Sequence, residues 1–382
     1  MRRIFATLAS LCLAVACTVA RGESGVTDTS IMLGMSSPFT GPNGVYGLAM
    51  RESITAYFDQ INKAGGINGR KIELIALDDG YETERTLANT KTLIQEKQVF
   101  ALIGYYGSSP TTEAMNNAFG PAKVPLIGTI SGAGSLRQAP SANPNNRYMF
   151  NLRASYADEA EAIVNQITSL GLKNIAVFYQ NDGFGKSGLE GVTTALKKHN
   201  LSPVAVGTVE RNSLDVGKAV EAIAKVSPQA VVMVTLYKPT AAFVKAMKKA
   251  NQFPMFMTLS PVGAEVLAQE LGNDARGIGI SQVMPYPWND TVAVVRDYQR
   301  AIGKQADKYS YYGLEGYINA RVMADALRRL GRDVTRERLI AALEAMHQVD
   351  LGGYRISFGT DDRLGSRYVE LTVVGSGGKV MK

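Results

Sequence analysis

Residues 99–112 read VFALIGYYGSSPTT, an apolar run that breaks into aromatics, a glycine and two serines. Residues 99–103 are uniformly apolar and bounded by Gly104, the pattern of a strand buried on both faces in a parallel sheet. Pro110 fits the first position of a helix, and Ser109 the N-cap before it. So abrupt a passage from strand to helix places Tyr105, Tyr106, Ser108 and Ser109 at the carboxyl edge of a sheet, beside unpaired helix N–H groups. Open α/β folds bind small ligands, often anions, at this edge. An ordinary strand-to-helix turn with a capping serine carries the same signature.

The same pattern recurs on both sides. Upstream, a strand over 31–35 leads through Ser36-Ser37-Pro38 to a helix over 46–64, where Ile54, Tyr57, Phe58 and Ile61 recur at helical spacing. Gly65-Gly66 ends that helix, Asn68-Gly69 turns into a strand over 71–77, and a helix over 83–97 leads back to residue 99. Downstream, a strand over 125–130 and a polar loop over 137–146 precede a strand over 148–153. The series then restarts, with helices over 158–170, to His199, over 216–225 and after Pro239, and strands over 174–179, 204–209, 230–236, 255–259 and 277–284. Tyr237-Lys238-Pro239 repeats the earlier device of strand, aromatic and proline-started helix. Alternating strands and helices predict parallel sheets, and two successive series predict an α/β chain of two similar lobes. Pro285 and Pro287 forbid continued pairing and mark a stiff exit from the second lobe. Helices over 291–302, 314–330 and 335–346 follow, and residues 354–358 and 368–374 form a hairpin-like tail.

A chain of 382 residues allows two or three domains at roughly 150 residues each. With 46% hydrophobic and 20% charged residues it is globular rather than disordered. Arg2 and Arg3 before the apolar run 4–19 form a secretory leader, residues 1–20, which marks the mature chain for export. Cleavage after Ala20 is favoured over lipidation at Cys17, and without that lipid no membrane insertion is expected. Both cysteines, Cys12 and Cys17, fall in the leader, which excludes disulfides and thiolate metal sites from the rest. The net charge falls from +7 to +5 once Arg2 and Arg3 leave, with no basic tract, so no nucleic-acid partner is expected.

Signals for chemistry are sparse. The two histidines, His199 and His347, stand at helix ends, which argues against a catalytic triad or a histidine-ligated metal. The acid pairs Asp78-Asp79 and Asp361-Asp362 point to opposite sides of an extended chain and suit loop hydrogen bonding. Residues 183–188, GFGKSG, match a dinucleotide fingerprint after a strand, with Glu210 beyond. Against a dinucleotide-dependent enzyme stand the late first glycine, the charge of Asp182 and export itself. No catalytic residue, metal or cofactor is assigned.

Five stretches together carry a resemblance: GMSSPFTGPNGVYG (34–47), INKAGGINGRKIELIALDD (61–79), GYYGSSPTT (104–112), NIAVFYQNDGFGKSGL (174–189) and LGG (351–353). In their order and spacing the chain resembles the periplasmic branched-chain amino acid-binding proteins, the type I substrate-binding proteins of ATP-binding cassette importers. The resemblance implies two α/β lobes, residues 25–156 with 285–365 and residues 157–284 with 366–382, joined by three crossovers near 155–158, 284–287 and 365–368. It also implies a small-molecule ligand trapped by lobe closure and a membrane permease as partner. A ligand-sensing module of the same fold, acting with a receptor or regulator, is the alternative.

Carried over residue by residue, Tyr46 and Tyr106 line the pocket and Ser108 binds the ligand carboxylate, with Ser109 beside it. Phe184 and Tyr237 close over the ligand, and Tyr312 lies near another contact. Three departures stand out. Gly132 occupies the place of a carboxylate-binding threonine, in the loop that begins at Ser131. Ser260 replaces the acid that holds the ligand ammonium, so a free α-amino acid is not expected, since a buried ammonium without an anion costs several kcal/mol. Tyr81 and Gly107 stand where the family has a disulfide. The expected ligand is a small organic carboxylate, aromatic or hydrophobic ones foremost. Arg153 is either a cationic contact or a structural ion pair, and Lys238 a contact or a solvated rim charge. Tyr105 and Tyr156 are pocket walls or inter-lobe packing, and Ser131 bonds the ligand or caps its own loop.

Overall fold

The computed structural model describes residues 22–303 and 305–382; the leader, Cys12 and Cys17 lie outside the described residues. In chain order the elements are β1 (Ser30–Ser37), α1 (Gly44–Lys63), β2 (Lys71–Asp78), α2 (Thr83–Lys91), β3 (Ala101–Tyr106), α3 (Ser108–Ala114), β4 (Leu126–Ile130) and β5 (Met149–Phe150). There follow α4 (Tyr156–Ser169), β6 (Ile175–Gln180), α5 (Gly183–Lys198), β7 (Val206–Val209), α6 (Gly217–Ala224), β8 (Ala230–Val234), α7 (Tyr237–Lys249), β9 (Met255–Thr258), α8 (Ala264–Leu271) and β10 (Gly279–Gln282). The rest comprises α9 (Ala293–Ala301), α10 (Tyr311–Arg329), α11 (Arg336–Glu344), β11 (Val349–Asp350), β12 (Arg355–Ile356), β13 (Glu370–Val374) and β14 (Val380–Met381).

Twelve of these strands make two α/β sheets, and β11 with β12 forms a separate two-stranded sheet. The first is wholly parallel, in the order β2-β1-β3-β4-β5, and the second runs β14-β13-β10-β9-β8-β6-β7. The central strands β3, β4 and β8 are buried at every residue, as continuous apolar runs between helical layers must be. The chain passes between the sheets three times: after β5, after β10 and before β13. The first passage ends in a capping box, where Ser155 Oγ accepts the Asp158 N–H and Asp158 Oδ2 accepts the Ser155 N–H.

Several local expectations are corrected. Gly104 does not bound its strand: β3 continues through it to Tyr106, with Gly104 at φ +68°. Its neighbour in register on β4, Gly128, also has positive φ, so adjacent strands carry matched irregularities that keep both ladders paired on either side. Pro110 is the third helical residue, not the first, because α3 starts at Ser108 behind Gly107; α7 likewise starts at Tyr237, two residues before Pro239. The first helical N–H groups have no intrahelical partner, so proline costs no hydrogen bond there. Residues 354–358 and 368–374 do not pair with each other: β12 pairs with β11, while β13 joins the second sheet antiparallel to β10 and carries β14.

Gly128 faces α10. A Cβ there would lie 2.3 Å from the Asn319 side chain, and φ is +73°. Gly128→Ala is expected to cost about 2–4 kcal/mol from left-handed backbone strain plus overpacking, measured as a lowered urea midpoint.

Candidate functional site

The carboxyl edges of β3, β4, β6 and β8 meet at a seam between the two sheets, and the aromatic residues singled out from the sequence gather there. Tyr46 of α1 stacks on Tyr106 at 5.5 Å between ring centroids, tilts against Tyr312 of α10 at 4.6 Å and meets Tyr237 of α7 edge-on at 6.1 Å. Phe184 of α5 packs on Tyr156 at 5.2 Å. Tyr46 and Tyr156 are fully enclosed, and Tyr106, Tyr237, Tyr312 and Phe184 are buried. Offset and edge contacts of this kind are the favoured aromatic geometries. Tyr81, which sequence reasoning considered only as a lost cysteine, extends the row with its ring edge-on to Tyr106 at 5.1 Å. That ring lies over Gly107, so the two positions of the missing disulfide are indeed adjacent.

Hydroxyls form a second group. Ser108, the first residue of α3, is hydrogen-bonded to Ser131 Oγ at 2.8 Å and lies 3.4 Å from the Tyr156 hydroxyl. Ser131 Oγ also accepts the Ala133 N–H at 3.2 Å, so it caps its own loop while belonging to the cluster. Ser109 does not cap α3; its hydroxyl crosses the seam to accept the Gly183 N–H at 3.0 Å. Tyr105 turns away, bonding Thr90 at 2.9 Å and packing on Phe119 within the first lobe, which makes it packing rather than a pocket wall. A Cβ on Gly132 would sit 2.3 Å from the Tyr156 ring, and the Tyr156 N–H donates to the Gly132 carbonyl at 2.8 Å. The space of a threonine side chain is thus taken by a tyrosine from α4, which returns a hydroxyl to Ser108.

Charge forms the third group. Arg153, on the first passage between the sheets, is 1% exposed. One guanidinium nitrogen donates to Ser260 Oγ, Nη1 lies 3.5 Å from Glu315 Oε2, and Nε and Nη1 have no hydrogen-bond partner among the described residues. Glu159 Oε2 accepts the Ser260 N–H at 2.8 Å and the Ser281 hydroxyl at 2.6 Å, while Oε1 has no partner among the described residues. The Tyr312 hydroxyl donates to the Ser260 carbonyl at 3.2 Å. Burial raises both carboxyls, Glu315 to about 7, with Arg153 opposing the shift in each case. The expectation that an ammonium would find no anion here is therefore overturned, because the acid absent at Ser260 is present next to it as Glu159. Glu159 and Glu315 escaped the sequence analysis, although each stands on the apolar face of its helix, among Tyr156, Ala160 and Ile163 or Tyr312, Ile318 and Asn319. A charged residue at a core position of the helical period was the available signal.

Lys238 lies at the rim, with its ammonium 6.0 Å from the Tyr237 ring centroid, beside a cavity of about 140 Å³ lined by Pro42, Asn43, Gln180, Asn212 and Tyr237. The glycine-rich stretch after β6 starts a helix whose first N–H groups are already occupied: Asp182 Oδ1 accepts from Phe184 and Gly185. A pyrophosphate would compete with that cap. The acid pairs are loop ligands, with Asp78 accepting from Phe39 and Asp79 from Ser36 and Tyr81.

The periplasmic binding protein family model matches residues 30–379, and the chain belongs to that family. It is similar to an amino acid binding protein of Pseudomonas aeruginosa, 25% identical over 329 residues and covering 84% of each chain. A possible leucine/isoleucine/valine-binding protein from Rhodopirellula baltica superposes with a TM-score of 0.85 at 30% identity, over 95% of this chain and 97% of that one. A substrate-binding periplasmic protein from Ralstonia solanacearum gives a TM-score of 0.85 at 31% identity, over 92% and 99%. The two-lobed architecture is that of type I periplasmic binding proteins, and these relatives are binding proteins rather than enzymes.

Arg153→Met leaves Glu159 and Glu315 buried without their cation. The expected cost is about 3–5 kcal/mol at pH 8, and less at pH 5, where the Glu315 carboxyl, already raised to about 7, takes up a proton. Urea unfolding at the two pH values measures both.

Proposed function

We propose that the protein is the exported solute receptor of an ATP-binding cassette importer and that it captures a small organic carboxylate in the seam between its lobes, residues 25–156 with 285–365 and residues 157–284 with 366–382. One observation carries the ligand class: the Arg153 guanidinium is buried at the seam with two of its nitrogens unspent in hydrogen bonds. A guanidinium so placed is a ready partner for a carboxylate. Ser108, Ser131 and the Tyr156 hydroxyl lie on the same seam at the N-terminus of α3, where backbone N–H groups favour an anion. Tyr46, Tyr106, Tyr237, Tyr312 and Phe184 supply the apolar surface, with Ser109 and Lys238 at the rim. A membrane permease is the partner this role requires. Selection rests on the ligand's preference for the closed arrangement of the lobes.

A second reading, a zwitterionic amino acid, rests on the unpartnered Oε1 of Glu159. The two readings differ in the sign of their pH dependence. A carboxylate that engages Arg153 withdraws the cation from Glu315, raises that carboxyl further above about 7 and binds with proton uptake, so affinity rises as pH falls from 8 to 6. An ammonium held by the buried carboxylates lowers their pKa and binds with proton release, so affinity rises with pH. A thermal-shift screen of aliphatic acids, aromatic acids and amino acids finds the ligand class, and calorimetry at pH 6 and 8 gives the sign. Ser108→Ala and Tyr237→Ala are each expected to weaken binding about tenfold, near the worth of a charge-assisted hydrogen bond or a buried ring, with the melting temperature of the free protein nearly unchanged. Unaltered affinity in both variants places the site elsewhere.

A further inference from the structure

Away from the seam, a cavity of about 350 Å³ opens between α8, the segment that leaves β10 and the C-terminal tail. Its lining includes Glu265, Gln269, Tyr286, Trp288, Lys379 and Val380. The rings of Tyr286 and Trp288 lie 5.1 Å apart at 45°, and Trp288 meets the Tyr311 ring edge-on at 6.3 Å. Both lining rings are anchored: the Tyr286 hydroxyl donates to the Val380 carbonyl at 3.2 Å and Trp288 Nε1 to the Ala306 carbonyl at 3.1 Å. Glu265 is half-buried in the first turn of α8. Its one hydrogen bond from a neighbouring element is a long one, 3.4 Å from the Tyr311 N–H, and among the described residues no lysine or arginine lies within ion-pair distance of it. Tyr311 is 6% exposed, packs between Glu265 and Trp288, and has a hydroxyl with no partner among the described residues.

We infer that this cavity is a second ligand site, separate from the seam, that takes a small organic cation of the alkylammonium class. A half-buried carboxylate with no ion-pair partner among the described residues favours positive charge, and two fixed rings next to it add the attraction of their quadrupoles. A bare metal ion does not fit, because Glu265 is the one acid in the lining and a hard cation needs several oxygen ligands. Burial pushes the Glu265 carboxyl up to about 7, the mark of a charge short of compensation. Lys379, exposed at the rim, opposes a cation and sets the cost of entry.

The chain has one tryptophan, so tryptophan fluorescence reports on the surroundings of Trp288, in the lining of this cavity. Titrating the full chain with tetramethylammonium chloride, against sodium chloride at equal concentration, is expected to give a saturable spectral change with the organic cation only. Glu265→Gln and Tyr286→Leu are each expected to raise the apparent Kd about tenfold or more, and Lys379→Gln to lower it. The Tyr286 variant keeps the test intact if Glu265→Gln lowers the melting temperature. No saturable change in either the native chain or Lys379→Gln overturns the proposal. So does an unchanged Kd in both the Glu265 and the Tyr286 variants.

Discussion

A guanidinium withdrawn from water between two carboxylates organises the place where the halves of this molecule meet. Arg153 sits on the first passage between the sheets, and its partners come from three other places: Ser260 after β9, Glu159 in the first turn of α4, and Glu315 on α10. Burying an arginine this completely costs several kcal/mol unless anions surround it. Burial lifts both carboxyls above their usual range, with Arg153 opposing the rise in each, while the two glutamates keep the arginine charged. The partners are held by further bonds: Glu159 by the Ser260 N–H and the Ser281 hydroxyl, Ser260 by the Tyr312 hydroxyl. Ser260 carries the bonds that cross between the lobes, accepting from the Arg153 guanidinium at its hydroxyl and from the Tyr312 hydroxyl at its carbonyl.

The lobes and their order were legible because parallel strands buried on both faces are written as unbroken apolar runs, and residues 99–112 are such a run. What escaped was the backbone inside those runs. Gly104 looks like a terminator because glycine usually ends a strand pattern; here it and Gly128 take positive φ side by side, a concerted irregularity that single-strand periodicity does not encode. Helix starts were misplaced by two residues because proline is tolerated throughout the first turn, so it bounds the start without specifying it. The aromatic half of the candidate site was legible, since Tyr46 and Tyr106 lie in stretches that carry the resemblance and Tyr237 follows a strand edge, while Tyr312 comes from the resemblance alone. The charged half was not, because Glu159 and Glu315 interrupt apolar helix faces, where an acid reads as an error in periodicity until the tertiary structure supplies Arg153.

The two departures from the amino acid-binding pattern are linked by one short element. Gly132, in place of the expected threonine, is the opening through which Tyr156 enters, and Ser260, in place of the expected acid, receives Glu159 at its backbone N–H. Tyr156 and Glu159 are three residues apart in the first turn of α4, on one face of the helix, behind the capping box of Ser155 and Asp158. A single rigid turn thus returns a hydroxyl and a carboxylate to the positions that the neighbouring loops vacate. The exchange has a geometric consequence. Ser108 and Ser131 lie on the first sheet, whereas Tyr156, at the boundary of that lobe, and Glu159 stand on a helix packed on α5 against the second. The polar lining around Ser108 is then complete only where the two lobes touch. A ligand that needs both sets of groups draws its recognition from the seam itself rather than from either lobe alone.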